Sequence, residues 1–131
     1  MKPLLTILLL LWTTPCLAND AGILTTAYES SSESLEGQIA VASVIKTRSA
    51  ERRQTIEQVV YAKKQFSCWL NGKPTQHRKL SQAELDKATR AWNLSRIGLY
   101  NHYYAHDELT PYWVKSAVMC EVIGNHTFCK L

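Results

Sequence analysis

After residue 18, the apolar pattern of the chain is densest between Ile39 and Ile45, where Ser43 alone interrupts a run of aliphatic side chains. Apolar residues on nearly every side of a helix are typical of an element buried at the centre of a domain. Ser34 is placed to cap this helix, and Glu36 in its first turn interacts favourably with the helix dipole. The pattern therefore predicts a central helix that forms the core.

Three further helices are predicted around this core helix. The first covers residues 21–30, where apolar side chains recur at helical spacing. Capping-box patterns at 55–58 and 81–84 open the other two, because a Ser or Thr followed by a Gln or Glu three residues later satisfies free amides at a helix start. The last helix is expected to run to about Ile97 and to end at Gly98.

The last third of the chain has a different character. Residues 100–105 are aromatic and extended, Pro111 opens a short segment, and residues 123–128 read as a strand or one arm of a hairpin. Helices first and short strands last predict an α+β fold in a small single domain.

The N-terminal stretch reads MKPLLTILLLLWTTPCLA, with Lys2 before an apolar run and Ala18 at a small-residue end. This layout is typical of a secretory signal peptide over residues 1–18, followed by a domain over residues 19–131. The run is shorter than the roughly 20 apolar residues of a spanning helix. We therefore expect export to the periplasm, cell wall or extracellular space, without stable membrane insertion after cleavage. An uncleaved membrane anchor is the alternative.

The charge balance limits the possible partners. In 131 residues, 15 Lys and Arg stand against 11 Asp and Glu, for a net charge of +4. That balance suits attraction to an anionic surface such as a cell wall. It is too small, without a run of basic residues, to indicate nucleic-acid binding. We expect a monomer.

Three cysteines remain once Cys16 leaves with the signal, so at most one internal disulfide can form. Cys120 and Cys129 are the preferred pair because a Gly-Asn turn signal lies between them. Cys68 would then be a free, buried thiol. The chain has no CxxC motif, so we predict no structural zinc site and no cofactor.

Carboxylates cluster where the first helix meets the core helix. Glu29, Glu33 and Glu36 fall within eight residues. Such glutamates are usually solvated charges at helix ends. Glu29, however, follows Tyr28 on the apolar-striped helix, and a carboxyl group beside apolar side chains can serve as a general acid near neutral pH. Glu29 is therefore the candidate catalytic residue.

Histidines and aromatic side chains supply a second set of candidates. His102, His106 and His126 could bind zinc as neutral imidazoles, or could be polar groups that line a groove. Aromatic side chains in such a groove would stack on sugar rings. The aromatic residues that crowd the second half include Trp69, Tyr100, Tyr103, Tyr104, Tyr112, Trp113 and Phe128.

Short blocks of sequence occur in a recognisable order. They are the stretch from Glu29 to Arg48 with its EGQIAVASVI, then TIEQVV at 55–60, QFSCW at 65–69, HYYA at 102–105, PYW at 111–113 and IGNHTF at 123–128. Together they resemble the motifs of the spore-cortex-lytic, SleB-type cell wall hydrolases. The resemblance covers nearly the whole chain after the predicted signal. It departs from the family at Ser30, Ser31 and Ser32, where members usually have Ala-Arg-Gly.

The resemblance implies a lysozyme-like α+β fold and action on the glycan strands of peptidoglycan. Glu29 matches the expected catalytic acid of a lytic transglycosylase, which cleaves between N-acetylmuramic acid and N-acetylglucosamine. The residues expected to contact the glycan are Glu33, Gln38, His102, Tyr104, Trp113 and His126.

Two alternatives stay open. One is a zinc amidase that uses His102, His106 and His126 to cut the muramoyl–alanine bond. The other is a degenerate, non-catalytic wall-binding protein, which the three serines suggest.

Overall fold

The computed structural model describes residues 20–75 and 78–131, so the predicted signal peptide lies outside the described residues. Three helices come first along the described chain, a two-stranded hairpin and a fourth helix follow, and a three-stranded sheet comes last. The helices are α1 (Asp20–Ser30), α2 (Leu35–Arg52), α3 (Ile56–Tyr61) and α4 (Gln82–Leu94). The strands are β1 (Trp69–Leu70), β2 (Lys73–Pro74), β3 (His102–Ala105), β4 (Met119–Ile123) and β5 (His126–Lys130). Among the described residues, no helix is both long and apolar enough to cross a membrane.

The predicted core helix is α2, and it is buried along most of its length. Its cap is Ser34, whose side chain accepts a hydrogen bond from the amide of Gly37. The other three helices pack against it, and its aliphatic residues from Val41 to Ile45 lie at the centre of the main apolar cluster. The capping boxes predicted at Thr55 and Ser81 are both present.

The fourth helix ends earlier than its sequence suggests. We expected α4 to reach about Ile97 and to stop at Gly98, but it ends at Leu94. The amide of Arg96 donates instead to the hydroxyl of Ser43, at 3.0 Å, and the amide of Gly98 donates to the hydroxyl of Thr47, at 2.9 Å. Side chains of α2 therefore take the amides that a longer helix would have used.

The C-terminal strands form an antiparallel sheet in the order β3-β5-β4. A tight turn at Gly124, which has a φ of 58°, joins β4 to β5. Cys120 and Cys129 face each other across these two strands and form a disulfide, while Cys68 is a free, buried thiol. The side chain of Phe128 on β5 is fully buried and carries the sheet onto the helical core.

Candidate active site

Glu29 lies in the last turn of α1, half-buried, on the wall of a cavity of about 280 Å³. The cavity lies between the helices and β3, so residues distant in sequence meet there. Its other lining residues include Arg48, Lys64, Tyr103, Tyr104, Ala105 and Glu108. The residue chosen from the sequence as the catalytic acid thus opens onto a concave site.

The two carboxylate oxygens of Glu29 have different surroundings. The Tyr103 hydroxyl donates a hydrogen bond to Oε2 over 3.3 Å. Oε1 is shielded from solvent and has no hydrogen-bond partner among the described residues. Oε2 is therefore the carboxylate oxygen with a proton donor beside it, and both Glu29 and that donor, Tyr103, line the cavity.

The groups next to Glu29 are held in their neutral forms. Burial, reinforced by the negative charge of Glu29, raises the pKa of the Tyr103 hydroxyl well above its ordinary value. Burial and the same charge also raise the pKa of the Cys68 thiol. Both groups therefore stay protonated at neutral pH, and neither competes with Glu29 for a negative charge.

Arg48 brings a buried positive charge to the same cavity. It extends from α2, and its Nε donates to the backbone carbonyl of Asn101 over 2.8 Å. Burial lowers the pKa of this guanidinium, but an arginine starts so far above neutrality that it stays charged. Arg48 matches the end of the first sequence block, yet the sequence did not identify it as part of the site.

Glu33 and His126 lie together, but not in the cavity of Glu29. His126 Nδ1 is 3.0 Å from Glu33 Oε1, and both residues line a neighbouring cavity of about 590 Å³. Ala105 at the end of β3 lines both cavities. Glu29 and Glu33 therefore line two different cavities, which adjoin at Ala105.

An aromatic cluster lies on one side of β3. It consists of His102 and Tyr104, both on the strand, and of Trp113. The ring centroids of His102 and Trp113 are 4.8 Å apart, and those of Tyr104 and Trp113 are 5.8 Å apart. Tyr104 also lines the cavity of Glu29, which connects the cluster to the candidate site. Burial lowers the pKa of His102, as does the positive charge of Arg48, so its imidazole is neutral at neutral pH.

The three histidines considered as zinc ligands do not converge. His126 is turned toward Glu33 and the ring of Tyr103, whereas His102 packs on Trp113. His106 contacts the hydroxyl of Thr127 over 2.9 Å. Within residues 20–75 and 78–131, no group of three His, Cys, Asp or Glu side chains is arranged to hold a metal ion.

Residues 32–129 match the family model described as Cell Wall Hydrolase. The chain belongs to the cell wall hydrolase family. The matched range begins at Ser32, so Glu29 stands just before it.

Similar proteins agree with the family model. A spore cortex-lytic enzyme of Oceanobacillus iheyensis is 34% identical over 106 residues, which are 78% of this chain and 37% of that protein. A spore cortex-lytic enzyme of Bacillus cereus is 33% identical over 106 residues, 78% of this chain and 40% of that protein. The chain thus spans about two fifths of the length of the curated relatives it matches.

Solved structures of the same kind share the fold. The catalytic domain of the Bacillus cereus SleB protein superposes with a TM-score of 0.64 at 27% identity, over 86% of this chain and 90% of that chain. The catalytic domain of the germination-specific lytic transglycosylase SleB from Bacillus anthracis gives 0.65 at 26% identity, over 86% and 94%. These matches confirm both the α+β fold and the family resemblance.

One residue of this cell wall hydrolase lies where the sequence did not suggest. Gln38, expected to contact the glycan, is buried and lines none of the cavities described above. Its Nε2 donates to the carbonyl of Ser30 over 2.9 Å and so ties α2 to the end of α1. Gln38 therefore holds the backbone of Ser30, the residue next to Glu29, from the buried side of α2.

Tyr103 is the opposite case. It contacts Glu29, although from the sequence it was only one of several aromatic candidates. The HYYA block at 102–105 did contain a sign of this contact, because alternate residues of a strand face opposite sides. If His102 and Tyr104 point one way, Tyr103 must point the other, toward the helices.

Proposed function

We propose that this cell wall hydrolase cleaves peptidoglycan glycan strands as a lytic transglycosylase, with Glu29 as general acid and then general base. Protonated Glu29 gives its proton to the glycosidic oxygen as the bond from C1 of N-acetylmuramic acid breaks, releasing N-acetylglucosamine. The carboxylate then takes the proton of the muramoyl C6 hydroxyl as that oxygen bonds to C1. The product carries a 1,6-anhydro end, and no water is consumed.

The observation that carries this proposal is the setting of Glu29, half-buried on the wall of a cavity with Oε2 directed to a proton donor. A general acid must reach the leaving oxygen in a site from which much of the water is excluded. The similarity to the catalytic domain of a germination-specific lytic transglycosylase supports the same reaction.

Hydrolysis is the second candidate reaction, because Glu108 also lines the cavity. Glycosidases usually work with two carboxylates, of which one activates water or attacks C1. Glu108 is exposed on the loop after β3, so we assign it no role in the transglycosylase scheme. The two reactions give different ends, since the anhydro product is lighter by one water than the hydrolysed one.

We propose that the cluster of His102, Tyr104 and Trp113 supports the sugar rings next to the scissile bond. Aromatic faces present broad apolar surface, and Tyr104 brings the cluster to the wall of the cavity. Glu33 and His126, in the adjoining cavity, would contact a more distant part of the strand. Export by residues 1–18 would bring the domain to this substrate.

The test of the proposal is Glu29→Gln, which keeps the shape of the side chain and removes its proton chemistry. We expect release of anhydro-muropeptides from purified sacculi to fall by at least about a hundredfold, since general acid–base catalysis contributes that much or more. Glu36→Gln is the matched control, because Glu36 is an exposed glutamate in the first turn of α2. Mass spectrometry of the released fragments identifies the bond and the type of end.

Several results would contradict parts of this proposal. Full activity of Glu29→Gln would exclude Glu29 as the catalytic acid. Reducing ends that disappear in Glu108→Gln would favour hydrolysis. Binding to sacculi with no turnover by the unaltered protein would favour a wall-binding role, and cleavage at the muramoyl–alanine bond would favour an amidase.

A further inference from the structure

The side chain of Tyr103 connects Glu29 to the sheet. Its ring stacks on Phe128 at a centroid distance of 5.3 Å and meets the edge of His126 at 5.5 Å. Its hydroxyl donates to Glu29 Oε2, and both residues line the same cavity. The position of that oxygen is therefore coupled to a ring held on two sides.

We propose that Tyr103 is a positioning residue for Glu29, whose hydroxyl fixes the orientation in which the carboxyl group meets the glycosidic oxygen. This inference rests on the proposed function, since it assumes that Glu29 is the acid.

The hydroxyl is suited to that task because it keeps its proton. Burial and the neighbouring carboxylate both hold the pKa of Tyr103 well above its ordinary value. A hydroxyl that does not ionise in the working range remains a hydrogen-bond donor to the carboxylate throughout. Tyr103 therefore keeps its role over the whole pH range in which Glu29 would act.

The ring of Tyr103 is also held by neighbouring side chains. The ring of His126 packs edge-on against it, and His126 Nδ1 in turn lies 3.0 Å from Glu33 Oε1. A row of contacts thus runs from Glu33 through His126 and Tyr103 to Glu29. This row gives the second glutamate of the cluster an indirect part in placing the first.

Tyr100 offers a matched comparison within the same chain. It also packs on Phe128, at a centroid distance of 5.5 Å, and its hydroxyl also donates to a glutamate, Glu121. Glu121 lies on β4 and does not line the cavity of Glu29. Removal of the Tyr100 hydroxyl therefore reproduces the loss of a tyrosine–glutamate hydrogen bond without touching the site.

The experiment compares Tyr103→Phe with Tyr100→Phe on soluble, uncrosslinked glycan strands, measuring kcat, KM and Tm. We expect kcat of Tyr103→Phe to fall on the order of tenfold, the effect of one hydrogen bond to a charged group, with KM within about twofold. Tyr100→Phe should keep the kcat of the unaltered protein.

The rate per folded molecule separates positioning from general stability. A loss of stability lowers the amount of active enzyme but leaves the rate of the molecules that remain folded unchanged, so kcat is referred to the folded fraction obtained from the thermal transition. A positioning role lowers kcat per folded molecule in Tyr103→Phe, at nearly constant KM, and leaves both values unchanged in Tyr100→Phe. This comparison decides the matter even if Tyr103→Phe is less stable.

Two outcomes would overturn the inference. One is an unchanged kcat per folded molecule in Tyr103→Phe, and the other is an equal loss of kcat in both variants with equal falls in Tm. Glu29→Gln tells the two failures apart. If it is inactive while Tyr103→Phe is normal, this inference alone fails, whereas full activity of Glu29→Gln removes the proposed function as well.

Discussion

Gly22 on α1 lies against the indole of Trp92 on α4, so its replacement by alanine sets a gain in helix propensity against a clash. A Cβ built at this position would lie 2.2, 2.3 and 2.8 Å from three atoms of the Trp92 indole. Carbon atoms in good contact are about 3.5–4.0 Å apart. The indole is only 3% exposed and so has no free space into which to turn.

The expected magnitude is the difference between these two effects. Alanine is favoured over glycine inside a helix by about 1 kcal/mol. Overpacking of a filled core costs about 1–3 kcal/mol, and a contact of 2.2 Å with a fixed ring belongs in the upper part of that range. We therefore expect Gly22→Ala to lower the free energy of unfolding by about 1–2 kcal/mol, which is roughly 4–8 °C in Tm for a domain of this size.

Thermal unfolding followed by circular dichroism measures the effect, and a second background isolates its cause. In Trp92→Leu the obstacle is smaller, so adding Gly22→Ala should cost nothing or stabilise by up to about 1 kcal/mol. A higher Tm for Gly22→Ala in the unaltered protein would show that the Trp92 indole does not oppose the added methyl group. An equal loss in both backgrounds would do the same, because the cost would then not come from the indole.

Two further predictions concern the turn after β4 and the N-terminus. Gly124→Ala should destabilise more than Gly72→Ala in a urea titration. Both positions have positive φ, 58° and 74°, but only at Gly124 would the Cβ meet another group, Glu33 Oε2 at 2.4 Å; equal effects would show that Glu33 can move away freely. Export should remove residues 1–18, so the intact mass of the secreted protein should be that of a chain starting at Asn19. A mass that still includes Met1 would contradict cleavage.

The helix starts could be predicted because each depends on neighbours in sequence. Ser34, Thr55 and Ser81 each accept a hydrogen bond from an amide three residues later, and that spacing is visible in the chain. The end of α4 could not be predicted in this way. It is decided by Ser43 and Thr47, about fifty residues earlier, which bind the amides after Leu94.

The division of the carboxylates was hidden for a similar reason. Glu29 and Glu33 are four residues apart, and the sequence placed both near the glycan. The α1–α2 turn separates them, and β5 supplies His126 to Glu33 while β3 supplies Tyr103 to Glu29. That pairing follows from the strand order β3-β5-β4, which no local pattern specifies.

The polar residues of the buried helix explain how Glu29 and Tyr103 come to face each other. The apolar pattern made α2 a core element, but five of its side chains bind the backbone of α1, of α4 or of the segment between α4 and β3. These residues are Gln38, Ser43, Lys46, Thr47 and Arg48.

The two outer members of this set fix the two sides of the site. Gln38 holds the carbonyl of Ser30, the residue after Glu29, and Arg48 holds the carbonyl of Asn101, two residues before Tyr103. Buried polar groups must be paired, and a pairing of this kind allows few alternative arrangements. The apolar side chains of α2 therefore drive the collapse of the domain, whereas its polar side chains determine where the carboxyl group and the hydroxyl meet.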